Sequence, residues 1–170
     1  MRTTRLRDGS EIVIRPIAVS DAVALEHFHD SLSRESQRLR FFNIHPHLTA
    51  TELERFTAVD HEDHEALVAL RVDQIIGVGR FDRLDNRTEA EVTFVTRDDY
   101  QGLGIATILL RALADTARGA GIMSFHAETP PENHKMLDVF ADSGIVSARR
   151  YGHDVVHITM RLSQGVLTQS

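Results

Sequence analysis

The chain has 170 residues, a length typical of one domain, and its 42% hydrophobic and 26% charged residues are ordinary for a globular protein. It contains no cysteine, which excludes a disulfide framework, a cysteine-ligated zinc site and a cysteine nucleophile. The net charge of −6 disfavours nucleic-acid binding. The sequence has neither the apolar core of a signal peptide nor an apolar run of roughly 20 residues that could span a membrane. We therefore expect a cytoplasmic protein without nucleic-acid or membrane partners.

The N-terminal third predicts one strand and three short helices. Alternating apolar residues indicate the strand at 11–17. Ser20 is placed to cap the first helix, and a second helix is predicted at 34–42. Thr49 and Glu52 form the capping-box pattern that begins the third helix.

The middle of the chain predicts three strands. Two apolar runs at 65–71 and 75–81 are separated by a tight turn, and a polar loop at 82–88 follows them. The third strand, at 90–96, alternates along its length. Because strand side chains alternate between faces, Glu91, Thr93 and Val95 are expected on one face, opposite Val92 and Phe94.

The C-terminal part predicts two helices and three more strands. An amphipathic pattern indicates a helix at 104–119, and a second helix at 133–143 is ended by Gly144. The strands fall at 122–128, 146–151 and 155–162. Interleaved strands and helices predict one α/β (α+β) domain with a mixed sheet, followed by a short polar tail at 163–170.

The segment most informative about chemistry is Gln-Gly-Leu-Gly-Ile-Ala at residues 101–106, between a strand and a helix. Glycine lets backbone N–H groups approach a ligand, and the first N–H groups of a helix lack internal partners at the positive end of its dipole. Such a terminus suits a phosphate or pyrophosphate. The segment is neither a P-loop nor a G-x-G-x-x-G motif, and a tight turn without a ligand remains the alternative.

The same six residues match the acyl-CoA signature Q/R-x-x-G-x-G/A, and with their flanking strand and helix the chain resembles the GNAT superfamily of N-acetyltransferases. The resemblance implies a single GNAT domain over residues 1–170. It also implies a mixed, mostly antiparallel central sheet of six to seven strands, flanked by helices and splayed at the strand before the acyl-CoA loop.

More narrowly, the chain is similar to the acetyltransferase domain of bacterial Pat-type protein lysine acetyltransferases. The matching stretches include Ile-Arg-Pro-Ile at 14–17, Ala-Glu-Val-Thr-Phe-Val at 90–95, Asp-Asp-Tyr-Gln-Gly-Leu-Gly-Ile at 98–105 and Asn-His-Lys-Met at 133–136. This likeness implies an acetyl-CoA-dependent transfer of acetyl to an amine, with a protein lysine as the expected acceptor. A small-molecule amine as acceptor and a non-catalytic acyl-CoA-sensing module are the alternatives.

The resemblance also implies where acetyl-CoA would bind. Backbone amides would hold its pyrophosphate at Gln101, Gly102, Leu103, Gly104, Ile105 and Ala106. Its pantetheine arm would pair with the backbone of Phe94, Val95 and Thr96 and would contact Asn133. Asn133 is also a natural helix N-cap without any ligand.

Glu91 is the expected general base, because many protein-acetylating GNAT enzymes carry their base at this position. A lysine amine with a pKa near 10.4 is unprotonated in only about one molecule in 2,500 at pH 7, which corresponds to roughly 4.6 kcal/mol. A carboxylate acting directly or through one water can accept its proton. A solvated strand-face carboxylate is the alternative for Glu91, and Glu89 is a competitor that is expected to lie in the loop.

Two other features of the sequence concern the general acid and metal binding. Many GNAT enzymes carry a tyrosine as general acid, but the corresponding position here is Phe140, and Tyr151 is a remote substitute. His61 and His64 are three residues apart, which differs from the spacing of H-E-x-x-H, so no metal is expected. The acceptor and the oligomeric state do not follow from the sequence.

Overall fold

A computed structural model describes residues 1–41 and 47–162 of the chain. Eight strands form one sheet, namely β1 (Arg2–Arg5), β2 (Glu11–Pro16), β3 (His64–Arg71), β4 (Gln74–Arg83), β5 (Glu89–Thr96), β6 (Ser124–Thr129), β7 (Val146–Tyr151) and β8 (Val156–Arg161). Five α-helices flank it, namely α1 (Ala22–Asp30), α2 (Arg34–Phe41), α3 (Ala50–Thr57), α4 (Ile105–Gly119) and α5 (His134–Asp142).

The strands are arranged in the order β1-β2-β3-β4-β5-β6-β8-β7. Every neighbouring pair is antiparallel except β5 and β6, which run parallel. This confirms a mixed, mostly antiparallel sheet flanked by helices. The described ranges contain eight strands, one more than the upper limit of the six to seven strands predicted.

The additional strand is β1, whose sequence Arg-Thr-Thr-Arg has no apolar alternation. It exists because its backbone pairs with β2, with Arg2 opposite Ile14 and Arg5 opposite Glu11. A short polar edge strand of this kind leaves no hydrophobic signal in the sequence.

The early helices differ in detail from the prediction. α2 agrees as far as Phe41, and the last predicted residue, Phe42, lies outside the described residues, as does the tail at 163–170. Ser20 does not cap α1, because it lies inside a 3-10 turn that precedes the helix. Thr49 does cap α3, since its hydroxyl accepts a hydrogen bond from the Glu52 N–H at 3.2 Å.

The core has one layer on each face of the sheet. β5 supplies Ala90, Val92 and Phe94 to the layer beneath α4 and α5, while Val95 packs on the opposite side beneath α1 and α3. This confirms the predicted alternation. α4 lies very close to β4, because a Cβ atom added to Gly77 would come within 2.7 Å of the Ile105 side chain.

Candidate active site

A groove opens where two neighbouring strands separate. β5 and β6 are paired only from Glu89 to Glu91, opposite Ser124 to His126. Beyond that point β5 pairs with β4 alone and β6 with β8 alone. The expected splay is therefore present, and among the described residues no strand neighbours that edge of β5 beyond Glu91, so backbone groups there are available to an extended ligand.

The groove has a volume of about 600 Å³ and runs between the separated strands and the N-terminal ends of α4 and α5. All the residues that we expected to bind acetyl-CoA line it, except Leu103. Leu103 packs against the core, and its carbonyl accepts a hydrogen bond from the Arg7 N–H at 3.2 Å. A pocket of this size is in the usual range for a small-molecule or cofactor site.

The segment at residues 101–106, here called the glycine loop, has the backbone shape that glycine permits. Gly102 and Gly104 have φ angles of +80° and +94°, a region that other residues rarely adopt. Gly104 is the N-cap of α4 and provides no side chain to cap it, and the first turn contains no acidic residue. The first N–H groups of α4 thus face the groove without a side-chain acceptor, and a phosphate group fits this cradle.

Asn133 stands on the opposite side of the groove as the N-cap of α5. Its Oδ1 atom accepts a hydrogen bond from the Met136 N–H at 3.3 Å. This capping bond occupies the oxygen and leaves the amide NH2 as a donor that a ligand in the groove could use. Phe140, on the same helix, is buried against Phe94 with ring centroids 6.3 Å apart, and it brings no hydroxyl to the groove.

Helix α2 covers part of the groove and is tied to both of its sides. On one side the Ser36 hydroxyl donates to Asp98 at 3.0 Å, and the Ser33 N–H donates to the same carboxylate oxygen at 3.3 Å. On the other side Arg38 pairs with Glu132 at 2.8 Å. Burial acts to raise the pKa of Asp98, but the hydrogen bonds from the two serines outweigh it and the pKa is lowered.

Gln101 connects several parts of the site. Its side-chain amide donates to the Ser36 hydroxyl at 3.3 Å and to the Thr96 carbonyl at 3.4 Å. Its oxygen accepts from the Lys135 ammonium at 3.0 Å, which joins the glycine loop to α5. The roles of Ser36 and Lys135 were not predicted, because they depend on contacts between residues that are far apart in the sequence.

Glu91 lies outside the lining of the groove, on an exposed position of β5. Thr93, two residues further along the same face, does line it. Since a strand advances by about 3.4 Å per residue, the two Cα atoms are roughly 7 Å apart. The carboxylate of Glu91 is therefore at the end of the groove, next to the point where β5 and β6 separate.

Four carboxylates share this exposed face of the sheet. The strand registers place Asp82 opposite Glu91 and Glu91 opposite His126, with Glu89 and Glu128 on either side. Three of them have a histidine partner, at 2.8 Å for Asp82 with His64, 3.2 Å for Glu89 with His126 and 3.0 Å for Glu128 with His157. Among the described residues, Glu91 has no hydrogen-bond or ion-pair partner.

Glu89 is not in the loop, as we had expected, but is the first residue of β5. It extends the strand because its carbonyl accepts a hydrogen bond from the Leu84 N–H at 2.8 Å across the turn. The hydrogen bond from Asn86 and then the contact with His126 at 3.2 Å lower the pKa of Glu89. Its carboxylate is thus occupied, unlike that of Glu91.

The remaining side chains that we considered lie elsewhere. Tyr151 is largely exposed on β7 and does not line the groove, whereas Tyr100 does. His61 pairs with Glu65 at 2.8 Å, separately from His64. In the two described ranges, no cluster of three or more His, Asp or Glu residues could hold a metal ion. The helices there are also too short or too polar to cross a membrane.

Comparisons with known proteins agree with this geometry. A model of the acetyltransferase (GNAT) family matches residues 27–145. An acetyltransferase of Pseudomonas aeruginosa is 28% identical over 148 residues, which are 85% of this chain and 80% of that protein. Acetyltransferase Pat of Mycolicibacterium smegmatis is 31% identical over 148 residues, which are 85% of this chain but only 44% of Pat.

One similar solved structure covers almost the whole chain. The crystal structure of the GNAT domain of S. lividans PAT has 38% sequence identity and a TM-score of 0.89, and the match covers 94% of this chain and 96% of that chain. The chain therefore corresponds to the GNAT part of such proteins, and it spans less than half the length of Pat from Mycolicibacterium smegmatis.

Proposed function

Because the chain belongs to the acetyltransferase (GNAT) family and is an acyltransferase, we propose that it transfers acetyl from acetyl-CoA to the side-chain amine of a protein lysine. Family members have been crystallised with acetyl-CoA or CoA. The observation that carries the proposal is the groove itself, in which an unpaired strand edge leads to an uncapped helix N-terminus. An extended ligand that ends in phosphates fits this arrangement.

In this proposal the glycine loop binds the pyrophosphate through its backbone N–H groups, and β5 orients the pantetheine arm from Phe94 to Thr96. Asn133 donates to the same arm from α5. When bound, acetyl-CoA supplies an acetyl group that is activated as a thioester. A backbone N–H of β5 directed at the developing oxyanion would contribute about 3 kcal/mol to catalysis.

Glu91 accepts the proton from the lysine ammonium in the proposed mechanism. Two observations support this assignment. Its carboxylate stands where the strands separate, and it is the one of the four neighbouring carboxylates without a histidine partner among the described residues. Since Glu91 is roughly 7 Å along the strand from Thr93, a water between the carboxylate and the amine would carry the proton.

The likeness to Pat and to the GNAT domain of PAT supports a protein lysine as acceptor. The acidic face around Glu91 adds to this support, because carboxylates at Asp82, Glu89 and Glu128 favour the approach of a cationic segment. These three carboxylates are accessible at the surface, since the side chain of each is at least one-third exposed.

The proposal is tested by mixing the protein with acetyl-CoA and a lysine-rich protein lysate, measuring the released CoA thiol and locating acetyl-lysine by mass spectrometry. We expect thiol release with specific acetylated lysines. The same assay with a panel of small amines as acceptors distinguishes a small-molecule acetyltransferase from a protein acetyltransferase. Binding of acetyl-CoA without any turnover would indicate a sensing module and contradict the proposal.

The base assignment is tested with Glu91→Gln, for which we expect the rate at saturating substrates to fall about 100-fold or more. Glu89→Gln is the matched control, because this residue lies on the same face two positions away and is already paired with His126. An unchanged rate in Glu91→Gln would refute its role. A loss confined to Glu89→Gln would transfer that role to Glu89.

A further inference from the structure

The hairpin between β1 and β2 is docked on the glycine loop. The backbone N–H of Arg7, at the tip of this hairpin, donates to the Leu103 carbonyl at 3.2 Å. The guanidinium of Arg7 donates to the Gly102 carbonyl at 3.4 Å. These contacts join residues that are 95 or more positions apart in the sequence, and Arg7 lies in the lining of the groove.

Arg7 is also close to the first turn of α4. A Cβ atom added to Gly104, the N-cap of that helix, would lie 3.6 Å from the Arg7 Nε atom. The guanidinium is therefore beside the N–H groups that we expect to bind the pyrophosphate. A positive side chain and a positive helix end at one place create an electrostatic cost unless an anion lies between them.

No described carboxylate lies within 4 Å of the Arg7 guanidinium, in contrast to the guanidinium groups of Arg5 and Arg38. Arg5 pairs with Glu11 at 3.3 Å and Arg38 with Glu132 at 2.8 Å. The nearest acidic residue in sequence, Asp8, is occupied, because the Ser10 hydroxyl donates to it at 2.6 Å. That bond lowers the pKa of Asp8 and directs its carboxylate to Ser10, while the Arg7 guanidinium is held at the Gly102 carbonyl.

We propose that Arg7 is a binding residue for a phosphate of CoA, either the pyrophosphate or the 3′-phosphate, and that it makes the site selective for phosphorylated acyl carriers. A guanidinium presents a planar fork of donors that matches phosphate oxygens. The inference rests on the proposed function in one respect, the binding of CoA in the groove. It adds a residue from outside the glycine loop, in the turn that follows β1, a strand that the sequence did not predict.

The test measures CoA binding by isothermal titration calorimetry, without any acceptor or turnover. Arg7→Gln is expected to weaken CoA binding roughly five- to thirtyfold, the range for a charge-assisted contact that is partly exposed. Arg5→Gln is the matched control, since Arg5 is on the same hairpin, is paired with Glu11 and does not line the groove. This control is expected to bind CoA like the wild type.

Dephospho-CoA, which lacks the 3′-phosphate, shows whether Arg7 binds the 3′-phosphate or the pyrophosphate. If the Arg7→Gln effect disappears with dephospho-CoA, Arg7 binds the 3′-phosphate, and if the effect persists, Arg7 binds the pyrophosphate. Equal CoA affinity of Arg7→Gln and wild type would overturn the inference while leaving the proposed function intact. Absence of CoA binding by the wild type would instead overturn the proposed function, and the inference with it.

Discussion

Replacing Gly104 with alanine tests whether the glycine loop needs its backbone shape. At a φ of +94° an alanine costs about 1–2 kcal/mol of backbone strain. Space is not the obstacle, because the new Cβ would be 3.6 Å from Arg7, an ordinary contact distance. For a chain of this size the strain corresponds to a fall in Tm of roughly 2–8 °C if the loop keeps its shape.

The strain is relieved if the loop moves, and the N–H groups at the start of α4 then leave their positions. A hydrogen bond to a charged group contributes about 1.5–3 kcal/mol, so the loss of one such bond raises the Kd for CoA about ten- to a hundredfold. Gly121→Ala is the matched control. Gly121 has a φ of +80°, has open space around it and does not line the groove.

In a thermal unfolding experiment Gly121→Ala is expected to lower Tm by the full strain, and Gly104→Ala by less, because movement of the glycine loop relieves part of its strain. Only Gly104→Ala is expected to weaken CoA binding, measured by calorimetry as an increase in Kd and by steady-state kinetics as an increase in KM. If Gly104→Ala lowers Tm less than Gly121→Ala, which shows that the loop has moved, and the two variants still bind CoA equally well, the backbone of the glycine loop does not form the phosphate cradle and our assignment of that segment is wrong.

Two further changes test the fold that positions the site. Gly77→Ala places a Cβ atom 2.7 Å from the Ile105 side chain. We therefore expect the free energy of unfolding to fall by about 1–3 kcal/mol and CoA binding to weaken. An unchanged Tm would contradict this prediction. Asp21→Asn removes a carboxylate that pairs with Arg15 at 2.7 Å, at a cost of about 1–3 kcal/mol. The Arg15 hydrogen bond lowers the pKa of Asp21 below its ordinary 3.8. In urea unfolding, the wild type should therefore exceed Asp21→Asn in free energy of unfolding by the full amount above about pH 5, and this difference should decline as the pH falls below 4. A difference that does not change with pH would exclude the ion pair as its cause.

Local patterns predicted most of the sheet and helices. The alternation of β5 follows directly from burial on two faces, and the Thr49 capping box needs only two residues three positions apart. The strand before the glycine loop, the loop and α4 were all predicted in the correct order. Such features are readable because the interactions that fix them lie within a few residues of one another.

Features fixed by distant contacts were not predicted. Ser20 resembled an N-cap, but Asp21 accepts the Ala18 N–H and pairs with Arg15, and a 3-10 turn forms there instead. The bonds from Ser36 to Asp98 and from Arg7 to Gly102 span 62 and 95 residues. No spacing rule within one helix or strand reports contacts of that kind.

The choice between Glu89 and Glu91 shows why the candidate base needed the three-dimensional structure. In the sequence both are carboxylates beside the same strand, and resemblance to a family was the one reason to prefer Glu91. The structure adds a physical reason, because the His126 ring lies 3.2 Å from the Glu89 carboxylate, although the strand register places His126 opposite Glu91. The hydrogen bond from Asn86 and then the contact with His126 lower the pKa of Glu89 and make it a weaker base, whereas Glu91 has no hydrogen-bond or ion-pair partner among the described residues.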